Sequence, residues 1–291
     1  MEQPLVSICI PTYNGAAFLQ EALDSILAQT YPNLEVIISD DASQDATMAI
    51  VNQFTQDTDL AVTTLAHTPN GIGANWNNSI RAAKGKYIKF LFQDDVLLPD
   101  CVSEMVAVLE THPEVGLVGC KREFIVEGDP TDDIQKWIDN YGNLQRQFET
   151  DAPVTMITSA LFCRLDFFSS PLNKIGEPPT TMFRTEILDE VGYFQEDLKQ
   201  ILDYVFYYRV LKKHAIAIIN KPLVQFRIHP NQATNVNRQQ KISDYERYDR
   251  ILYDEFYALL HRQTQDRLRT KFHVFYKGLF RLKRKINKWN K

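Results

Sequence analysis

Along the first 120 positions, short apolar runs alternate with helical stripes, and polar clusters separate them. Leu5–Ile10 is an apolar-rich run ended by Pro11 and reads as a buried strand. Asn14 and Gly15 open a helix in which Leu19, Ala22, Leu23, Ile26 and Leu27 share one face. Leu34–Ser39 reads as a second strand, followed by Asp40, Asp41 and Ser43 and by a helix to about Phe54. Leu60–Leu65 is a short strand, HTPNGIG a loop, and Ala74–Ala83 a helix. The run Tyr87–Phe92, opened by Gly85, climbs into Asp94 and Asp95. A helix over Pro99–Glu110 and a strand near Val115–Cys120 complete this part.

Repeated strand–helix–strand units predict an α/β fold, a mostly parallel sheet with helices on both faces. Ligands of such sheets bind beyond the carboxyl ends of the strands. Pro11 to Tyr13, Asp40/Asp41 and Asp94/Asp95 each fall at such an end. After Lys121 the pattern changes to aromatics and loops. Helices are predicted around Ile134–Gln147 and near Val154–Cys163, and another over Gln200–Lys212 carries Asp203. A β pair, Ala215–Ile219 and Leu223–Ile228, follows and ends in His229. Residues 239–291 read as two helices.

Adjacent side chains on an extended backbone point to opposite sides. Asp94 and Asp95 can therefore serve two ligands at one spot, a hydroxyl and a hard cation such as Mg²⁺ or Mn²⁺. The alternative is local: Asp94 begins a turn, and Asp95 caps the helix after Pro99 or forms an Asx-turn.

The hydrophobic fraction of 44% is that of a globular protein with a sizeable core. The net charge of −5 does not advertise nucleic-acid binding. It is unevenly placed, because Arg262–Lys291 holds 11 Lys/Arg against one acid, Asp266. Phe272, Phe275, Leu279, Leu282, Ile286 and Trp289 recur there at helical spacing, ringed by Lys and Arg. Such a helix suits an anionic membrane surface, or it packs on the body or a second subunit. The four cysteines are widely spaced, with no CxxC pair. Reduced thiols and a cytoplasmic protein, peripheral at the inner face of the membrane, are the expectation. No opening signal peptide and no run of about 18 apolar residues is seen.

Three blocks, VSICIPTYNGAAFLQEALDSILAQTYPNLEVIISDDASQDAT, the stretch ending GKYIKFLFQDD, and GEPPTTMFR with VGYF and LDYVFYYR, stand in one order at telling spacings. Together they resemble the family 2 glycosyltransferases over roughly residues 4–235. That resemblance implies the GT-A nucleotide-diphospho-sugar transferase fold over 1–235, with a donor half to about 120 and an acceptor half from about 121. Residues 236–291 then form a helical basic C-terminal extension. It implies an inverting, metal-dependent transfer from a nucleotide-sugar, a UDP-sugar by preference, to a glycan or lipid-linked acceptor of surface polysaccharide or glycoconjugate synthesis.

Carried over by position, the resemblance has Pro11, Thr12 and Tyr13 line the nucleotide base and Asp40 accept a hydrogen bond from the base imide. Asp94 contacts the ribose or donor sugar, Asp95 binds Mg²⁺ or Mn²⁺, and Asp203 is the general base. Departures stand beside these. The family's first acid of Asp-x-Asp-Asp is Phe92, its Glu before the base is Leu202, and the Arg of its Arg-Asn pair is Trp76, with Asn77 kept on the donor side. Arg227 and His229 are then candidates for charge compensation or a further metal ligand, although His229 before Pro230 also suits a turn. Glu177 either binds acceptor hydroxyls or makes a loop hydrogen bond. Trp137, Tyr141, Phe162, Phe167 and Phe168 are read mostly as core. Competing readings are a nucleotidyltransferase, for which PTYNGAAF lacks the Gly-rich phosphate loop and Lys, and a decayed nucleotide-sugar or glycan-binding module.

Overall fold

The computed structural model describes residues 3–148, 150–230, 232, 242 and 244–273. Four parallel strands build its first half: β1 (Val6–Thr12), β2 (Leu34–Asp40), β3 (Ala61–Ala66) and β4 (Tyr87–Phe90), in the order β3–β2–β1–β4. The sheet continues through β8 (Thr181–Arg184), antiparallel to both β4 and β6 (Val115–Val126). β9 (Ala215–Ile228) then runs parallel to β6. β7 (Val154–Ile157) and the two-residue β5 (Val96–Leu97) pair antiparallel with different halves of β9.

Side chains alternate across the sheet. Val6, Ile8 and Ile10 face one core with helices α1 (Leu19–Leu27), α2 (Thr47–Asp57) and α4 (Cys101–Thr111). Cys9, Ile37, Ile88 and Phe90 face the other, with α3 (Ile72–Ala82) and α7 (Leu202–Lys213). Between these lie α5 (Asp132–Tyr141) and the single turn α6 (Leu188–Val191). Leu27 departs from its expected face and is 53% exposed, since it is the last residue of α1.

Two expected elements are replaced. Val154–Cys163 is a strand followed by a 3₁₀ turn at Ser159–Cys163, because β-branched Val154, Thr155 and Ile157 find a pairing edge in Ile216–Ile219. The expected β pair around Pro222 is one strand. β6 shifts register at Cys120–Arg122 opposite that point, so both strands bend together. Asn220 Nδ2 secures the bend by donating to the Ala152 carbonyl at 2.7 Å.

The segment after 235 shares the body's core. Tyr248, Leu252, Phe256 and Leu268 are buried in the same cluster as Phe162, Phe206 and Tyr208. Phe272, the first residue of the basic stripe, lies 5.4 Å from the Tyr253 ring. Phe275, Leu279, Leu282, Ile286 and Trp289 lie outside the described residues. No helix among the described residues is long and apolar enough to cross a membrane.

Candidate active site

The carboxyl ends of β1 and β2 are bound together before any ligand arrives. Asp40 is buried, and its carboxylate accepts from Thr12 Oγ1 (2.8 Å), Ser43 Oγ (2.6 Å) and Ser43 N–H (2.9 Å). Those three bonds make it the anchor of the turn after β2. Asp41, one residue on, keeps a partly exposed carboxylate, 2.6 Å from His67 Nδ1. Pro11 is half-buried and Thr12 is sealed. Tyr13 is 56% exposed, so its ring is not core packing and its face is open to a planar ligand. Its backbone is gripped by Gln93, which spacing alone did not single out.

The loop after β4 carries the acidic pair. Asp95 is buried, and its Oδ1 accepts from Arg227 N–H at 3.0 Å. Among the described residues its Oδ2 is buried and has no hydrogen-bond partner. Burial first, and then the neighbouring Asp94 charge, raise its pKa well above the usual carboxylate range. A buried acid with an unused oxygen is a position a cation would stabilise. Asp94 Oδ2 lies 3.0 Å from His229 Nε2, and that ring is 4.9 Å from Phe18. Carboxylate oxygens such as these suit Mg²⁺ or Mn²⁺. No group of three His, Cys, Asp or Glu side chains is preassembled as a metal cage among the described residues.

Arg227 is used differently from the expectation. Its guanidinium pairs with Glu21 and Glu127, donates to the Asp94 carbonyl at 2.9 Å, and covers the Phe18 ring at 4.7 Å. At 4% side-chain exposure it is engaged on every side and braces the acidic loop. Asn77 is corrected in the same way. Its Nδ2 donates to Phe194 O (2.8 Å) and Glu196 Oε1 (2.9 Å), and its Oδ1 accepts from Phe194 N–H (3.1 Å). It is a buried tie between α3 and the loop at 194, and Trp76 beside it packs on Phe90, Phe92 and Phe194.

Asp203 opens α7. Asn173 Nδ2 donates to its Oδ2 at 2.9 Å, whereas its Oδ1 is buried and has no partner among the described residues. Burial pushes its pKa up to about 7. Glu177 adds to the rise, while Asn173 and the N–H groups at the start of α7 oppose it. Glu177 is held by Arg122, whose Nη1 lies 2.8 Å from Oε2 in an ion pair, not an aligned hydrogen bond. The Glu177 charge raises the pKa of both Asp95 and Asp203. Asn173 and Arg122 were not anticipated; the Asn-x-x-Gly of 173–176 is a turn signature and says nothing of its carboxyl partner. Of the aromatics, Phe162 and Phe167 are core, and Trp137 and Tyr141 are half-buried beside Phe226.

A model of Glycosyl transferase family 2 matches residues 7–168. An uncharacterized glycosyltransferase of Rickettsia prowazekii, RP339, is 30% identical over 246 residues, 84% of this chain and 70% of its own length. Among solved structures, Staphylococcus aureus TarS 1–349 with UDP-GlcNAc superposes with a TM-score of 0.64 at 21% identity, over 92% of this chain and 71% of that one. The mannosyltransferase PcManGT of Pyrobaculum calidifontis, with GDP-Man and Mn²⁺, gives 0.57 at 22%, over 89% and 64%. These two likenesses establish the mixed α/β GT-A fold. Across several curated relatives the chain spans 31% to 77% of the relative's own length.

Proposed function

The chain belongs to glycosyl transferase family 2, and we propose that it moves a sugar from a nucleoside diphosphate to a hydroxyl of a glycan or lipid-linked acceptor, with inversion. The observation that carries this reading is the pair of buried carboxylates, Asp95 and Asp203, each with one unpartnered oxygen and both under the field of Glu177. One suits a cation on the donor phosphates and the other suits a proton. Unpartnered buried acids cost folding free energy, which a module that only binds sugar has no use for.

In this reading Tyr13 stacks on the base, and Asp41 accepts from the base imide in place of Asp40, whose carboxylate is committed to the turn. An imide donor favours uracil. Asp94, Asp95 and His229 would hold Mg²⁺ or Mn²⁺, which when bound neutralises charge gathering on the leaving diphosphate. The acceptor oxygen attacks the anomeric carbon from the face opposite the diphosphate. Asp203 Oδ1 takes its proton, and the bond to the diphosphate oxygen breaks with its electron pair. With Asp203 taking the proton and Glu177 paired to Arg122, the reading is a single displacement. A pKa near 7 gives Asp203 both the free base and the basicity this step needs near neutral pH.

The test is transfer or hydrolysis of a panel of radiolabelled nucleotide sugars with Mn²⁺ and with EDTA. Cation-dependent nucleoside diphosphate release that Asp203→Asn abolishes supports the reading. Release unaffected by both changes rejects it.

A further inference from the structure

Among the described residues, Asp203 is held from outside its own helix by one side chain, Asn173. The Asn173 amide is fully spent. Its Nδ2 reaches Gly176 O at 2.8 Å as well as Asp203 Oδ2, and its Oδ1 accepts from the N–H groups of Ile175 and Gly176, both at 3.0 Å. Gly176 has φ +143°, a conformation that only glycine adopts readily, so the loop closes tightly around the amide. The next residue anchors the loop on its other side. Lys174 is fully buried, with Nζ donating to Gln147 Oε1 (3.0 Å) and Ser169 O (2.9 Å). Two residues held in opposite directions leave Asn173 little freedom to turn.

We propose that Asn173 is a positioning residue for Asp203: it ties down Oδ2 and leaves Oδ1 as the oxygen that takes the proton. This rests on the general-base reading above. A carboxylate bonded at Oδ2 alone cannot rotate to present either oxygen, so Oδ1 is the proton acceptor. The same bond favours the ionised form and so limits the rise that burial imposes. The other groups acting on Asp203 are the N–H groups of Tyr204 and of Asp203 itself, which lower its pKa, and Glu177, which raises it. Tyr204, Tyr207 and Tyr208 of α7 stay neutral because burial lifts their own pKa values.

The experiment follows the Asp203 carboxyl by NMR in protein labelled at aspartate Cγ, with Asp203→Asn supplying the assignment. In wild type the Asp203 resonance is expected to titrate near 7. Asn173→Asp keeps an acceptor for the Ile175 and Gly176 N–H groups while losing the donor, so the loop survives. The Asp203 midpoint should rise. Asn173→Ala should raise it as well, in a less stable protein. An Asp203 midpoint equal in wild type and both variants overturns the proposal, whatever their stabilities. Nucleotide-sugar turnover, measured in parallel with Mn²⁺, separates the two ideas. Full turnover in Asp203→Asn with a moved midpoint would reject the base and leave Asn173 only as its electrostatic partner, which also overturns the positioning role. Lost turnover in Asp203→Asn, with an acid limb that moves upward in Asn173→Asp, sustains both.

Discussion

The Gln93 side-chain amide holds the Tyr13 backbone at both ends. Its Oε1 accepts from Tyr13 N–H at 2.8 Å, and its Nε2 donates to the Tyr13 carbonyl at 3.1 Å. A residue of the acidic loop therefore fixes the backbone of an aromatic just past the first strand, and the two polar clusters are built as one unit. Gln93→Ala removes both bonds. At roughly 1 kcal/mol each, nucleoside diphosphate affinity should fall about tenfold or somewhat more, with turnover at saturating donor changing less. Calorimetric titration with UDP checks the first part. Unchanged affinity would mean that Tyr13 finds its pose without Gln93.

Asp95→Asn removes a charged oxygen ligand and keeps the volume. Affinity for nucleoside diphosphate should lose its dependence on Mn²⁺, and turnover should fall by orders of magnitude. Wild-type transfer by this variant would place the cation elsewhere.

Arg227→Met leaves Glu21 and Glu127 without their shared cation and the Asp94 carbonyl without its donor. Breaking a buried pair costs about 3–5 kcal/mol. The two glutamates are half-open to water, so a cost near the lower end is expected, seen as a drop of several degrees in Tm. Arg227→Lys should recover only part, because a point charge cannot span two carboxylates. A melting temperature equal to wild type in Arg227→Met would show that the brace is not needed.

Asp203→Asn should lower turnover by roughly 10²–10⁴ with donor binding intact. It should also stabilise the protein, in a pH-dependent way. The folded pKa lies above the ordinary carboxylate value, so as pH rises the unfolded chain releases its proton first. Wild-type stability is therefore lost between the ordinary range and about 7. The variant should melt close to wild type at about pH 5 and above it at about pH 8.5. The opposite order in a melting series would mean that Asp203 is stabilised as the anion.

The C-terminal stripe can be tested at two cuts. Ending the chain after Gln263 removes Leu268, which is fully buried. Loss of a core leucine costs about 2–5 kcal/mol, so poorly soluble protein is expected. Ending it after His273 keeps the packed helix Arg262–Phe272 and should leave a stable body. If the remaining basic stripe binds anionic membranes, only the shorter body should fail to sediment with anionic liposomes, and added salt should release the full chain. Equal sedimentation of both would reject the membrane role.

Read in order, the chain alone determines the alternating units of the first half and the polar clusters at the strand ends, because these depend on local periodicity and turn chemistry. The strands expected at Leu5, Leu34, Leu60 and Tyr87 lie within about two residues of those observed at Val6, Leu34, Ala61 and Tyr87. Asp95 and Asp203 are likewise prominent in sequence, as an acidic pair after a buried run and an acid at a helix start. Tertiary structure decides what each polar group has left to offer. Asp40 and Arg227 look like ligands in the sequence, yet other groups engage them: Ser43 nearby and Thr12, 28 residues away, on Asp40, and Glu21, 206 away, on Arg227. Asn173 and Gln93 look like loop residues, yet each sets the pose of a site residue 30 or 80 positions away. The same long-range pairing turns Val154–Ile157 into a strand against β9 and draws Leu268 into the body's core. Hydrogen bonds and burial are satisfied in space, so no window of neighbouring residues contains that information.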